Sequence, residues 1–273
     1  MSFLSYLING ISLGSVYAII ALGYTMVYGI ARMLNFAHGD IIMVGGFVIF
    51  TIVSTLGLPP MVGVLAAVIA CTVLGVVIER VAYKPLRGAS SLAVLITAIG
   101  VSYLLQNVAL LIFGSNARQF TSVVNVPSLK LAGGALSISG VTMVTIITCI
   151  IISEDTGAAT LMGINVNSTI AITFAIGSAL AAIAGALLCS AYPSLTPYTG
   201  SMPGIKAFVA AVFGGIGSIP GALIGGILLG VIENLSKAYI SSQLSDAIVF
   251  AVLIIVLLVR PTGILGKKIT EKV

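Results

Sequence analysis

The stretch AAVFGGIGSIPGALIGG, Ala210 to Gly226, decides how this chain can fold. No charge interrupts the sequence between Lys206 and Glu233, so the segment is apolar enough to enter hydrocarbon. Its glycines at 214, 215, 217 and 221, together with Pro220, cannot carry one continuous helix through it. Irregular backbone at membrane depth is tolerated only where protein buries it or where it lines a cavity. A Gly/Pro-broken re-entrant hairpin over about 204–233, interrupted near mid-membrane, is therefore expected. Gly214, Gly215, Gly217, Pro220 and Gly221 become candidates for a translocation path. Gly221-xxx-Gly225 and Gly226-xxx-Gly230 can also serve close helix packing. The two readings are compatible.

The rest of the chain has the same character. Of 273 residues, 59% are hydrophobic and 7% charged, against about 25% charged in soluble domains. Uncharged runs recur that are long enough to cross roughly 30 Å of hydrocarbon as helices. The pattern predicts an all-α polytopic membrane protein, one transmembrane domain over 1–273, with about seven full crossings at 6–30, 41–57, 61–78, 92–113, 136–152, 168–190 and 244–260. Pro59 and Pro60 separate the second span from the third. The first 30 residues lack a basic leading region, and the run from Tyr6 to Ile30 is long enough to span, so a cleaved signal is not expected. Cys71, Cys149 and Cys189 fall in or beside apolar runs and are read as buried thiols.

Basic residues cluster in ERVAYKPLRG (79–88) and after Arg260, which places both in the cytoplasm by the positive-inside bias. The net charge of +5 follows from that bias and does not point to nucleic acid. Counting spans puts the N-terminus outside. Parity then requires the broken segment to begin and end on the outer side. Lys206, opening it, is expected to reach the outer interface, and Glu233 with Lys237 to pair at i, i+4.

Several chemistries are excluded or weak. GILGKK (263–268) lacks the Ser or Thr of a phosphate loop and follows no strand, so nucleotide energy must come from a partner. GISLG (10–14) matches a hydrolase pattern around Ser12, but it lies within an apolar helix rather than on a strand-to-helix elbow. Small residues four apart read better there as a helix contact. ARMLNFAHGD (31–40) holds the chain's one histidine, His38, with Asn35 and Asp40 nearby, too few ligands for a metal site. Asn35, His38 and Asp40 form either a capping turn or a path-facing turn near the inner mouth. Tyr17, Tyr24 and Tyr28 share a helix face that reads as packing. A secondary transporter, which would want ionisable groups at mid-membrane, and an intramembrane hydrolase built on Ser12, His38 and Asp40 are the competing classes.

SEDTGAATLMGINV, Ser153 to Val166, interrupts the apolar pattern with paired carboxylates. Ser153 suits an N-cap, and Glu154 and Asp155 suit a first turn. Gly163 suits a C-terminal stop, giving a helix of about nine residues, roughly 13 Å long. Ala158, Ala159, Leu161 and Met162 would give it a small apolar surface, too short to be stable alone and in need of a docking partner.

Together LNFAHGD, EDTGAATLMGINV, FGGIGSIPGALIGG and RPTGILG resemble the permeases of branched-chain amino acid ABC importers, the LivH type, from Ile8 to Gly266. That resemblance implies a multi-pass protein of a bacterial or archaeal cytoplasmic membrane. It also implies a second homologous permease, two cytoplasmic ATPases that hold ATP and Mg, and a periplasmic or lipid-anchored binding protein. The chain itself would bind no cofactor and no metal, and membrane lipid would surround it. Relatives of the type import other small solutes, including urea, short amides and other amino acids. The segment 153–166 would be the ATPase-coupling element, with Glu154, Asp155, Ala158, Ala159, Leu161, Met162 and Gly163 its residues. The sequence departs from the family where Ile152 runs straight into Ser153, leaving a short fifth span. Either residues present in relatives are missing here, or that span borrows Leu131 to Leu136.

Overall fold

Prolines, glycines and serines punctuate a chain of nine helices in a computed structural model that describes residues 3–31, 33–131, 136–155 and 166–266. The helices are α1 (Phe3–Ala31), α2 (His38–Phe50), α3 (Pro60–Ile78), α4 (Ser91–Phe113), α5 (Gly140–Asp155), α6 (Val166–Ala191), α7 (Ser201–Gly214), α8 (Ile219–Tyr239) and α9 (Ser245–Val259). Pro60 opens α3, where its missing N–H costs nothing, after Gly57 has turned the chain at φ 67°. Ser90 caps α4 by accepting from the Ala93 N–H, and Gly114 ends it at φ 78°. A turn of π-helix over Thr51–Thr55 extends α2, and another over Glu79–Tyr83 extends α3.

Among the described residues, six helices are long and apolar enough to cross a membrane: Phe3–Ala31, His38–Thr55, Pro60–Leu86, Leu92–Phe113, Ser168–Ala191 and Ile219–Tyr239. Gly140–Ile152, Ser201–Gly214 and Ser245–Val259 are apolar but shorter. The polytopic, all-helical expectation holds at this level. Two short antiparallel pairings accompany the helices: β1 (Arg118–Gln119) with β4 (Ser194–Leu195), and β2 (Leu129–Leu131) with β3 (Leu136–Ile138).

The fifth apolar segment differs from its expected form at both ends. It does not begin at 136, because Leu136, Ser137 and Ile138 lie opposite Leu131, Lys130 and Leu129 in extended backbone. Ser139 then caps α5, its Oγ accepting from the Thr142 N–H at 3.1 Å. Nor does a separate helix begin at Ser153. The backbone of Ser153, Glu154 and Asp155 continues α5. A cap serves amides that have no partner one turn back, and a helix already under way supplies that partner. Span five therefore includes neither Leu131 nor Leu136. Ala158, Ala159, Leu161, Met162 and Gly163 lie outside the described residues.

The bundle is organised by α1 lying antiparallel against α8. An added Cβ at Gly10 would sit 2.8 Å from the Val231 Cα, and one at Gly14 would sit 2.6 Å from the Ile227 Cα. Gly226 and Gly230 face back onto the backbone of Ala18 and of Gly14. Small residues thus bring the two backbones together, as in close helix pairs in lipid. GISLG is a packing motif. On the opposite faces, Leu65, Ile69 and Val73 of α3, Leu104 and Leu111 of α4, and Ile254 and Leu258 of α9 are exposed, an apolar surface suited to lipid.

Gly14→Leu should disrupt this seam, because the atoms met are backbone and cannot rotate away. Overpacking costs about 1–3 kcal/mol even where neighbours can shift. The expected result is a lower thermal midpoint in detergent. Gly100→Ala on α4, where an added Cβ meets nothing within 4 Å, should leave that midpoint unchanged.

Candidate functional site

The broken segment supplies the first half of the site. α7 stops at Gly214, Gly215 takes φ 110° and Gly217 φ 90°, and α8 restarts at Ile219. A side chain at Gly215 would be strained by that φ and would also collide with the backbone at Leu265 and Gly266. Ser218 caps α8 by accepting from the Gly221 N–H at 3.3 Å, and Pro220 sits in its first turn. The sequence thus located the break and its residues. Its depth is another matter. The Ile264 N–H donates to the Phe213 carbonyl at 3.0 Å and the Leu265 N–H to the Gly214 carbonyl at 2.9 Å. The turn is therefore level with residues that follow α9, not with the middle of the bundle. Its two arms are unequal, 14 residues in α7 against 21 in α8.

The second half is a set of buried charges at the other ends of α7 and α8. Glu233, 1% exposed, accepts from Lys206 Nζ at 2.8 Å and Lys237 Nζ at 2.6 Å on Oε1. Its Oε2 accepts from the Tyr17 hydroxyl at 2.8 Å. Lys206 also pairs with Asp246 at 2.6 Å, in the first turn of α9. Four helices meet at this neutral network of two cations and two anions. Lys206 does not extend to an interface as expected; it is 6% exposed. An uncompensated ammonium in a membrane interior is expensive, and two carboxylates in reach remove the need to extend. Asp246 and Tyr17 were not read as partners, since a contact between residues 17 and 233 leaves no local trace in the sequence. The spacing of Glu233 and Lys237 was the only signal available.

Two cavities flank the network. One of about 210 Å³ is lined by Tyr17, Lys206, Glu233 and Lys237 together with apolar side chains. The second, about 360 Å³, is lined by Asn9, Ser12, Thr142, Thr145, Ser190 and Asn234 among others. Leu13 and Tyr192 border both. Ser12 faces this uncharged, hydroxyl-rich space. Helix interiors in lipid expose such groups only toward protein or water.

Asn35, His38 and Asp40 lie elsewhere in the bundle. All three are buried, at 3%, 1% and 2% exposure. Asn35 Oδ1 accepts from the Tyr83 hydroxyl at 2.9 Å. Asp40 Oδ1 accepts from Gln106 Nε2 at 2.9 Å, and the same amide reaches Ser201 at 3.3 Å. The His38 ring packs edge-on against Tyr24 with centroids 4.7 Å apart and lies over Gly23. Its Nε2 meets no hydrogen-bond partner among the described residues. Tyr24 is about 10 Å inside the end of α1 at 1.5 Å per residue, so α2 starts within the bundle. The turn tucks inward with Asn35 and Asp40 hydrogen-bonded to buried partners and the His38 ring packed against Tyr24. Ser12 is roughly 16 Å along α1 from Gly23, so Ser12, His38 and Asp40 are not brought together. Near the end of α3, Glu79 is buried and paired with Arg87. No group of three or more His, Cys, Asp or Glu residues suited to a metal occurs among the described residues.

Comparison with known proteins agrees with this arrangement of apolar helices around buried polar groups. Residues 6–257 match the family described as "Branched-chain amino acid transport system / permease component". The chain is 45% identical to the high-affinity branched-chain amino acid transport system permease protein LivH of Salmonella typhimurium, over 99% of this chain and 98% of that protein. It is 42% identical to BraD of Pseudomonas aeruginosa over the same shares, and 27% identical to a probable LivH of Methanocaldococcus jannaschii over 91% of this chain and 88% of that one. No solved structure matches. The alignments with LivH and BraD run over 301 positions, more than the 273 residues here, so these relatives carry residues without a counterpart in this chain. By its matched span and its identity to these permeases, this chain belongs to the family of branched-chain amino acid transport system permease components.

Proposed function

We propose that the chain is the membrane permease subunit of an ATP-driven importer for leucine, isoleucine and valine. The observation that carries this reading is the 45% identity to LivH over nearly the whole of both chains. The fold supports it, with buried polar groups and two cavities enclosed by helices whose outer faces are apolar. The chain would act as a dimer with a related permease, served by two cytoplasmic ATPases and an external binding protein in a bacterial or archaeal cytoplasmic membrane. ATP and Mg would stay on the ATPases. Solute would cross as the permease pair alternates between inward- and outward-open states, a shift that the partners drive by binding one state better than the other.

In this reading α1 runs inward and α8 runs outward beside it, with α7 and α8 entering and leaving on the outer side. The turn at Gly215 would then lie near the cytoplasmic end, next to the residues that follow α9. The segment 153–166 would dock the ATPase through Ala158, Leu161 and Met162, with Gly163 ending the contact.

Three outcomes are expected. Cells lacking their own high-affinity leucine uptake should regain it when this chain is expressed with its cognate partners, read as initial uptake of labelled leucine; uptake of urea but not leucine would reassign the substrate. Reporters fused after Tyr239 and after Gly266 should report opposite sides, extracytoplasmic and cytoplasmic, and the same side for both would overturn the topology. Gly163→Val should abolish uptake and ATPase copurification while the permease stays inserted, since a β-branched residue resists the left-handed conformation of a helix stop. Retention of both activities would remove the coupling role.

A further inference from the structure

We infer that the cavity between Tyr17, Glu233 and Lys237 is a subsite for a small zwitterionic α-amino acid with an aliphatic side chain, an assignment that rests on the importer function proposed above. The cavity measures about 210 Å³, below the roughly 300–1,000 Å³ typical of drug-sized ligands, and suits a small solute. Its walls differ in kind. Leu13, Leu188, Met202 and Pro203 supply apolar lining, and Lys206, Glu233 and Lys237 supply both signs of charge. A zwitterion with a branched alkyl tail has the matching division.

Hydrogen-bonding capacity indicates how the head would be held. A carboxylate has about four acceptor sites and an ammonium three donors. Glu233 uses three of its sites, for Lys206, Lys237 and Tyr17. One remains for a substrate ammonium, with Ser194 and Thr199 lining the same space. Lys237 gives one donor to Glu233, and its side chain is 37% exposed, against 7% for Lys206 and 1% for Glu233. Lys206 is fixed between Glu233 and Asp246, so it holds the anion in place. Lys237 is the cation whose remaining donors can turn to a substrate carboxylate. Because the four protein charges cancel, a neutral zwitterion can enter without leaving a net charge in the membrane interior. A simple ionic brace between helices would need neither the cavity nor the partly exposed lysine.

The test uses the complete importer in proteoliposomes, with Met202→Cys as a reporter on the apolar wall. Met202 is 41% exposed, whereas the three native cysteines are buried, so a water-soluble maleimide reads the substituted position. L-leucine should slow its modification about tenfold once present at about ten times its Kd, following simple site occupancy. Leucinamide, which lacks the carboxylate, and 4-methylpentanoate, which lacks the ammonium, should not protect. Adding Lys237→Gln should abolish protection by leucine, and adding Lys237→Arg should retain it. Lys237→Gln leaves Glu233 paired with Lys206 and Tyr17, and recovery of the variant in the complete importer reports an intact fold. Equal modification with and without leucine in an importer that takes up leucine overturns the site, as does protection that survives Lys237→Gln. Protection by leucine in an importer that does not take it up sustains the site and overturns the importer reading.

Discussion

The close approach of α1 to α8 is the constraint on which the other features depend. Lipid tails are as apolar as leucine, so helices in a membrane gain little from hydrophobic contact with one another and rely on packing. Gly10 and Gly14 on one side, and Gly226 and Gly230 on the other, let the backbones meet with no side chain between them. This fixes α8 in register with α1. It brings the Tyr17 hydroxyl to the Glu233 carboxylate, 216 positions away in sequence. Because α7 is joined to α8 by the turn at Gly215 to Ser218, Lys206 is delivered to the same carboxylate. A larger residue at Gly14 would separate Tyr17 from Glu233.

The charge network is secondary to that seam. Burying an ion pair rarely stabilises a fold more than an apolar replacement would, whereas stripping one partner from it typically costs about 3–5 kcal/mol. At the junction of α1, α7, α8 and α9 it therefore fixes which groups face one another more than it adds stability. The exposure gradient points the same way. Glu233 and Lys206 form a closed centre, and Lys237 and Asp246, at 37% and 43%, form a more exposed rim.

How far the sequence could be read depended on whether a feature is local. Gly214 to Gly221 told where a helix breaks, since a missing side chain and a proline act within a few residues. They did not tell how deep the break sits, which is set by hydrogen bonds from Ile264 and Leu265 far along the chain. Polarity marked Asn35, His38 and Asp40 as unusual and suggested a capping turn or a path-facing turn near the inner mouth. Their partners Tyr83, Tyr24 and Gln106 come from three other helices and could not be paired by spacing. Lys206 was misread for the same reason: a long basic side chain near an apolar segment reaches for water unless an acid is in range, and Asp246 is in range only in three dimensions. The LivH-type resemblance, by contrast, rested on four ordered motifs and needed no contact to be seen.

The fifth span ties these observations to the chain's length. At 16 residues α5 is about 24 Å long, against a hydrocarbon core of roughly 30 Å. It cannot gain length at its start, where β3 holds Leu136 to Ile138 in extended backbone. Its helical backbone therefore continues through Ser153 to Asp155, residues whose composition suits the start of a helix. A span too short for the bilayer is accommodated by local thinning or by flanking residues reaching for the interface, at a cost of fractions of a kcal/mol per Å. Relatives that align over 301 positions have residues this chain lacks. In a protein where α1 and α8 are locked by glycines, a short span beside α1 can be accommodated without separating the seam or the charges that depend on it.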